Sequence, residues 1–167
     1  ILGMARDLKV QTVTSDNEKL AELAGTKNHQ AVVALVSDFQ YIELDDLINK
    51  LRDKENAKIF ILDKIEDPHN FGAIARSSNF FGVDGIIFPN RRASTVNDTV
   101  VKSSAGAIYD IDVSKVTNIS QAMEKLKESG FWIYATDLEG EDIRKCDFSG
   151  KVAIVIGNEG KGVSKNV

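Results

Sequence analysis

Four stretches of this chain combine reactive side chains with the glycines or prolines that bend backbone around a ligand. The first runs from Asp63 through Pro68-His-Asn to Gly72 and reads as a polar loop of ten residues. It brings Asn70 and Gly72 to the start of a helix that carries Arg76. An arginine in the first turn of a helix works against the helix dipole, so its presence there points to a ligand or an ion pair. The second stretch, Pro89-Asn-Arg-Arg-Ala-Ser94, holds the one pair of adjacent arginines, Arg91 and Arg92. The third is Thr136-Asp-Leu-Glu-Gly140. The fourth, Gly157-Asn-Glu-Gly-Lys-Gly162, has three glycines in six residues, which curves backbone amides around something small.

Each stretch also has a plain structural reading. The three glycines can form a tight turn, and Arg91 and Arg92 a solvated one. The Gly-rich segment is too short for G-x-x-x-x-G-K-[ST] and lacks the spacing of G-x-G-x-x-G, so neither phosphate-cradling mechanism applies. Ser77, Ser78, Ser103 and Ser104 lie in no G-x-S-x-G elbow, which argues against a serine hydrolase. His29 and His69 have no third ligand at metal-binding spacing, so no metal is expected. Nothing sets Asp137, Glu139, Glu141 and Asp142 across from one another as glycosidase carboxylates.

The elements that must position these loops follow from the hydrophobic rhythm. Residues 59–62, 85–88, 131–135 and 152–156 are short runs apolar on both faces, as buried parallel strands are. Between them lie helical segments over 73–81, 97–105 and 118–129, each stopped by a glycine. All four loops leave the carboxyl ends of these strands, where doubly wound sheets bind ligands. Upstream, 10–13 and 31–36 read as strands, and a Ser15 to Glu18 capping box opens a helix through Ala24 that ends at Gly25. A helix with Leu44, Leu47, Ile48 and Leu51 on one face and a solvated charged face opposite links this small α/β part to the larger one.

Composition narrows the classes further. The 167 residues are 43% hydrophobic and 28% charged, with a net charge of −4, so an anionic partner must be held by a local basic patch. Cys146 is the only cysteine, which excludes an internal disulfide and is compatible with a reducing, cytoplasmic setting. No apolar stretch reaches the roughly 18–20 residues of a membrane span. The opening residues read as mid-domain sequence, as expected of a piece of a longer protein.

The segment Asp67-Pro-His-Asn-Phe-Gly-Ala-Ile-Ala-Arg-Ser-Ser-Asn-Phe-Phe-Gly82, followed by Ile154-Val-Ile-Gly-Asn-Glu-Gly-Lys-Gly-Val-Ser164, closely resembles motifs 1 and 2 of the SpoU (TrmH-like) RNA ribose 2′-O-methyltransferases of the SPOUT superfamily. The RlmB-like group is the nearest in arrangement. His29-Gln30-Ala31-Val32 resembles the junction with an N-terminal ribosomal-protein-like domain, although the family usually has Gly where Ala31 stands. The resemblance implies an α/β, Rossmann-like parallel sheet with a C-terminal trefoil knot, S-adenosylmethionine as methyl donor, and a homodimer. It divides the chain into the end of an RNA-substrate-binding domain (1–36), a linker helix (37–58) and a catalytic domain (59–167), whose third motif, Ser-Leu-Asn-Val-Ser, is expected beyond Val167. It assigns Asn70, Arg76 and Glu159 to catalysis. Thr136, Gly157, Asn158, Glu159 and Gly160 are expected at the cofactor, and His69, Asn70, Arg91, Arg92 and Lys102 at RNA. The implied reaction is methylation of a guanosine ribose in 23S rRNA. A tRNA ribose is the alternative substrate, and a non-catalytic RNA-binding module the rival from another class.

Overall fold

The computed structural model describes residues 1–164 and 167, which fall into two compact units, 1–38 and 39–167. The first contains α1 (Leu2–Asp7) and α2 (Asn17–Ala24) and no strand among its described residues. The expected strands at 10–13 and 31–36 are absent. Their apolar side chains stay in solvent, Val13 at 82% and Leu35 at 79% exposure. A strand is stabilised by a paired neighbour, and this unit supplies none. The cap of α2 also lies one residue later than expected: Asp16, not Ser15, accepts from the Lys19 amide at 2.8 Å. Gly25 closes the helix with φ +62, as its position implied.

The second unit opens with α3 (Leu44–Lys50) and then alternates strands with helices: β1 (Ala57–Leu62), α4 (Pro68–Phe80), β2 (Gly85–Pro89), α5 (Asp98–Ser103), β3 (Asp112–Val116), α6 (Ile119–Glu128), β4 (Trp132–Ala135) and β5 (Lys151–Ile156). All five strands run parallel in the order β3-β2-β1-β5-β4. Alternation along β1 divides the core. Ile59 and Ile61 join Leu47, Leu51, Met123 and Leu126 beneath α3 and α6, whereas Leu62 joins Phe71, Ala75 and Val100 beneath α4 and α5. Helices therefore cover both faces, as a parallel sheet requires.

Three expectations change. β3 is an additional strand, masked in the sequence because Asp112, Ser114 and Lys115 break its apolar run; it lies at a sheet edge, where the Ile42 amide donates to its Val113 carbonyl at 3.0 Å. β4 is the other edge, not a fully buried strand, and its Trp132 is 73% exposed. Helix α4 begins at Pro68 instead of 73, with Asp67 as its cap accepting from the His69 amide at 2.8 Å. The loop after β1 shrinks to residues 63–67, and Arg76 moves from the first turn to mid-helix. The dipole argument for Arg76 accordingly falls away.

Candidate active site at the crossover of the sheet

The chain builds β1, β2 and β3 outward to one side, then returns to place β5 against the other side of β1. The carboxyl ends of β1 and β5 thus flank the point where strand order reverses, the ligand crevice of open α/β sheets. Leu62 and Ile156 are level in register there, and the Asp63 amide donates to the Ile156 carbonyl at 2.9 Å.

Beyond Ile156 the Gly-rich segment folds back on itself. The Asn158 amide donates to the Gly162 carbonyl at 3.1 Å, and the Gly162 amide to the Asn158 carbonyl at 2.8 Å. Gly157 makes this closure possible: a Cβ there would lie 2.2 Å from both Gly162 C and Val163 N. The space that a side chain at 157 would need is taken by the chain itself. Asn158 Nδ2 donates to the Lys64 carbonyl at 3.1 Å, and Asn158 Oδ1 accepts from the Gly160 amide at 3.0 Å. Around Gly160 the nearest atom to a hypothetical Cβ is Asn158 Oδ1 at 3.7 Å, so this part of the turn is open.

The two motifs meet in one hydrogen bond: Asn70 Nδ2 in the first turn of α4 donates to Glu159 Oε1 at 2.6 Å, across 89 residues of sequence. Asn70 is held in place through α4 itself, which packs closely on α5 at Gly72. A Cβ on Gly72 would lie 1.9 Å from Ser103 Oγ and 2.9 Å from the Val100 carbonyl oxygen. His69 is exposed beside Asn70.

Arg76 is exposed six residues further along α4, about 9 Å of helix rise from Asn70. It lines an open cleft of about 600 Å³ with Asn79, Phe80, Phe81, Gly106 and Asp110. Asn79 Nδ2 donates to Asp110 Oδ2 at 3.3 Å, and Phe80 and Phe81 meet edge to face with centroids 5.2 Å apart. Among the described residues Arg76, Arg91, Arg92 and Lys102 take part in no ion pair. Arg91 and Arg92 are exposed in the turn after β2, with Arg92 at φ +54, and Lys102 is exposed on α5. Thr136 leaves β4 exposed, its amide donating to the Val155 carbonyl at 3.0 Å. No hydrogen bond ties Thr136, Arg91 or Arg92 to the Asn70 and Glu159 pair.

Asp63, which the sequence did not single out, is buried at 3% exposure, and its Oδ2 accepts from the Ser164 amide at 2.7 Å. Of the carboxylates after β4, Asp137 accepts from the Glu139 amide at 3.1 Å. Asp142 is engaged by Arg144, whose guanidinium holds that exposed carboxyl below its ordinary pKa. No group of three potential metal ligands occurs among the described residues, and none of their helices is long and apolar enough to cross a membrane.

Comparison with known proteins places this arrangement. Residues 57–167 match the SpoU rRNA Methylase family, and residues 1–42 match the RNA 2′-O ribose methyltransferase substrate binding family. The chain is 45% identical over 169 aligned positions to YacO of Bacillus subtilis, named as a TrmH family tRNA/rRNA methyltransferase, and spans 68% of that protein. The AdoMet-bound rRNA methyltransferase of Sinorhizobium meliloti superposes with a TM-score of 0.67 at 26% identity, over 76% of this chain and 48% of that one. The AdoMet complex of the SpoU methyltransferase AviRb from Streptomyces viridochromogenes gives 0.64 at 25% identity, over 71% and 49%. The chain thus spans about half the length of these solved structures. With both motifs present and joined at the crossover of a parallel sheet, the chain belongs to the SpoU rRNA methylase family.

Proposed function

We propose that this protein transfers a methyl group from S-adenosylmethionine to a ribose 2′-hydroxyl of RNA, with a guanosine of 23S rRNA as the target. The observation that carries the reading is the 2.6 Å bond between Asn70 and Glu159, which joins motif 1 to motif 2 at the sheet's crossover. The cofactor fits the residues present. The 157–162 turn is open at Gly160, and because its Asn158, Gly160 and Gly162 amides are already engaged inside the turn, the short polar contacts it leaves for an amino acid headgroup and a nucleoside are backbone carbonyls, the Glu159 amide and the Thr136 hydroxyl. When bound, the sulfonium supplies an electrophilic methyl group. Glu159 and Asn70 fix each other's orientation, so the turn meets its ligand already organised. Arg76, permanently protonated, donates hydrogen bonds: it orients the hydroxyl and offsets the negative charge that develops on its oxygen and on the adjacent phosphate.

The basic side chains of Arg91, Arg92 and Lys102, with His69, form the RNA-facing set. They have no ion-pair partners among the described residues and therefore remain available to phosphates. Residues 1–36 serve as the end of a substrate-binding domain, supported by the family match over 1–42, with 37–58 as linker and 59–167 as the catalytic part. The homodimer, the trefoil knot and a cytoplasmic setting rest on the family resemblance, and the exposed Phe80 and Phe81 are consistent with a covering partner. A tRNA ribose is the second reading, favoured by the tRNA/rRNA naming of relatives such as YacO. The test is labelled-methyl transfer from S-adenosylmethionine to rRNA and to tRNA from cells lacking the protein, followed by mapping of the modified ribose. Label on rRNA alone is expected. Label on tRNA alone selects the second reading, and label on neither overturns both.

A further inference from the structure

Asp63 and Lys64 hold the Gly-rich turn from below by three separate bonds, although neither belongs to the motifs. The Asp63 amide extends the β1–β5 ladder to the Ile156 carbonyl at 2.9 Å and fixes the point where the turn begins. The Asp63 carboxylate accepts from the Ser164 amide at 2.7 Å and fixes the point where it ends, 101 residues away in sequence. Lys64 sits at φ +60, a backbone conformation that lysine adopts only at a cost, and its carbonyl accepts from Asn158 Nδ2 at 3.1 Å. At its tip the turn presents Glu159 to Asn70.

A carboxylate that is 3% exposed has given up most of its hydration and keeps that arrangement only where charged hydrogen bonding replaces it. A carboxylate accepting a backbone N–H makes one of the stronger bonds available to a loop. We infer that Asp63 is a positioning residue, whose carboxylate pins the exit of the 157–164 segment so that the turn is already shaped for the methyl donor and Glu159 stays within reach of Asn70. The inference rests on the proposed function for the identity of the ligand. The clamp itself is independent of any ligand. Asp63 is buried, and in this role it acts through Ser164 and the turn.

The experiment compares wild type, Asp63→Ala and Asp63→Asn in the full-length protein. Two readouts are used: amide hydrogen exchange over 157–164 without ligand, and titration with S-adenosylmethionine. Asparagine retains an oxygen that accepts from Ser164, whereas alanine retains none. Asp63→Ala is expected to exchange at least tenfold faster in this segment and to bind S-adenosylmethionine about tenfold more weakly. Its KM for S-adenosylmethionine rises while kcat at saturation stays within about threefold. Asp63→Asn is expected to restore both readouts to within about threefold of wild type. Wild-type exchange in Asp63→Ala overturns the clamp, and so does an Asp63→Asn protein that is folded yet as impaired as Asp63→Ala. If Asp63→Ala does not fold, Asp63→Asn decides by the same exchange measurement. A wild-type protein that binds no S-adenosylmethionine overturns the proposed function instead, and the exchange data still judge the clamp.

Discussion

Arg76 is exposed and takes part in no ion pair among the described residues, so its removal costs little structure and isolates the role proposed for it. Arg76→Ala is expected to lower methyl transfer by at least 10²–10³-fold, the usual loss on deleting a transition-state donor. Its melting stability should stay within about 0.5 kcal/mol of wild type and its affinity for S-adenosylmethionine within about threefold. Retained activity in a labelled-methyl assay refutes the role. Asn70 offers a test of opposite character. Asn70→Asp sets a carboxylate against Glu159 where a 2.6 Å bond now stands, and two carboxylates that close cannot both ionise. One of the pair is raised above its unfolded pKa, so the turn is disrupted at neutral pH and restored as pH falls through that raised value. Titrations with S-adenosylmethionine at pH 7.5 and at about pH 5 should therefore differ in Asn70→Asp and agree in Asn70→Ala. The residues of this site were legible because motifs 1 and 2 carry them at fixed spacing. Asp63 was not, since a lone carboxylate just after a strand shows its partner only when Ser164 folds back upon it.

Helix α4 is the element on which the site depends, because it carries both Asn70 and Arg76 and is seated by the contact of Gly72 with α5. Gly72→Ala forces a methyl group into Ser103 and the Val100 carbonyl and is expected to cost about 1–3 kcal/mol, read as a lowered denaturation midpoint. Gly157→Ala meets backbone at 2.2 Å, and backbone yields less readily than a side-chain tip. It should open the turn and abolish cofactor binding while leaving the sheet's circular dichroism unchanged. Four of the five strands were readable from their apolar runs, and the fifth, β3, was hidden by its polar residues at an edge. The start of α4 was misplaced for a related reason. Asp67 and Pro68 form a cap and first helical residue, yet the polar run before them reads as one continuous loop, and this displaced Arg76 by five residues, about one and a half turns. Periodicity gives the type of a long apolar segment more securely than where a polar one ends.

At the scale of the whole molecule, net charge and ligand disagree, since a chain of −4 is assigned a polyanionic substrate. Binding must then run through a small number of cations. Arg91→Ala/Arg92→Ala is expected to reduce the slope of log K against log salt for an rRNA fragment by roughly 1.5–2. It should weaken binding equally for matched and scrambled sequences, and an unchanged slope removes the pair from the interface. The two strands hidden or misjudged in the sequence, β3 and β4, are the two borders of the sheet: β4 carries a solvent-facing side chain, whereas β3 is met at Val113 by the Ile42 amide and buries its Ser114 completely. β4 has an optical consequence. Its Trp132 is the only tryptophan in the chain and faces water in the folded state. Its emission should already lie near the wavelength of free indole, so denaturation will barely move the spectrum. A blue shift on mixing with RNA, or at high protein concentration, will instead report that something has come to rest on this border of the sheet.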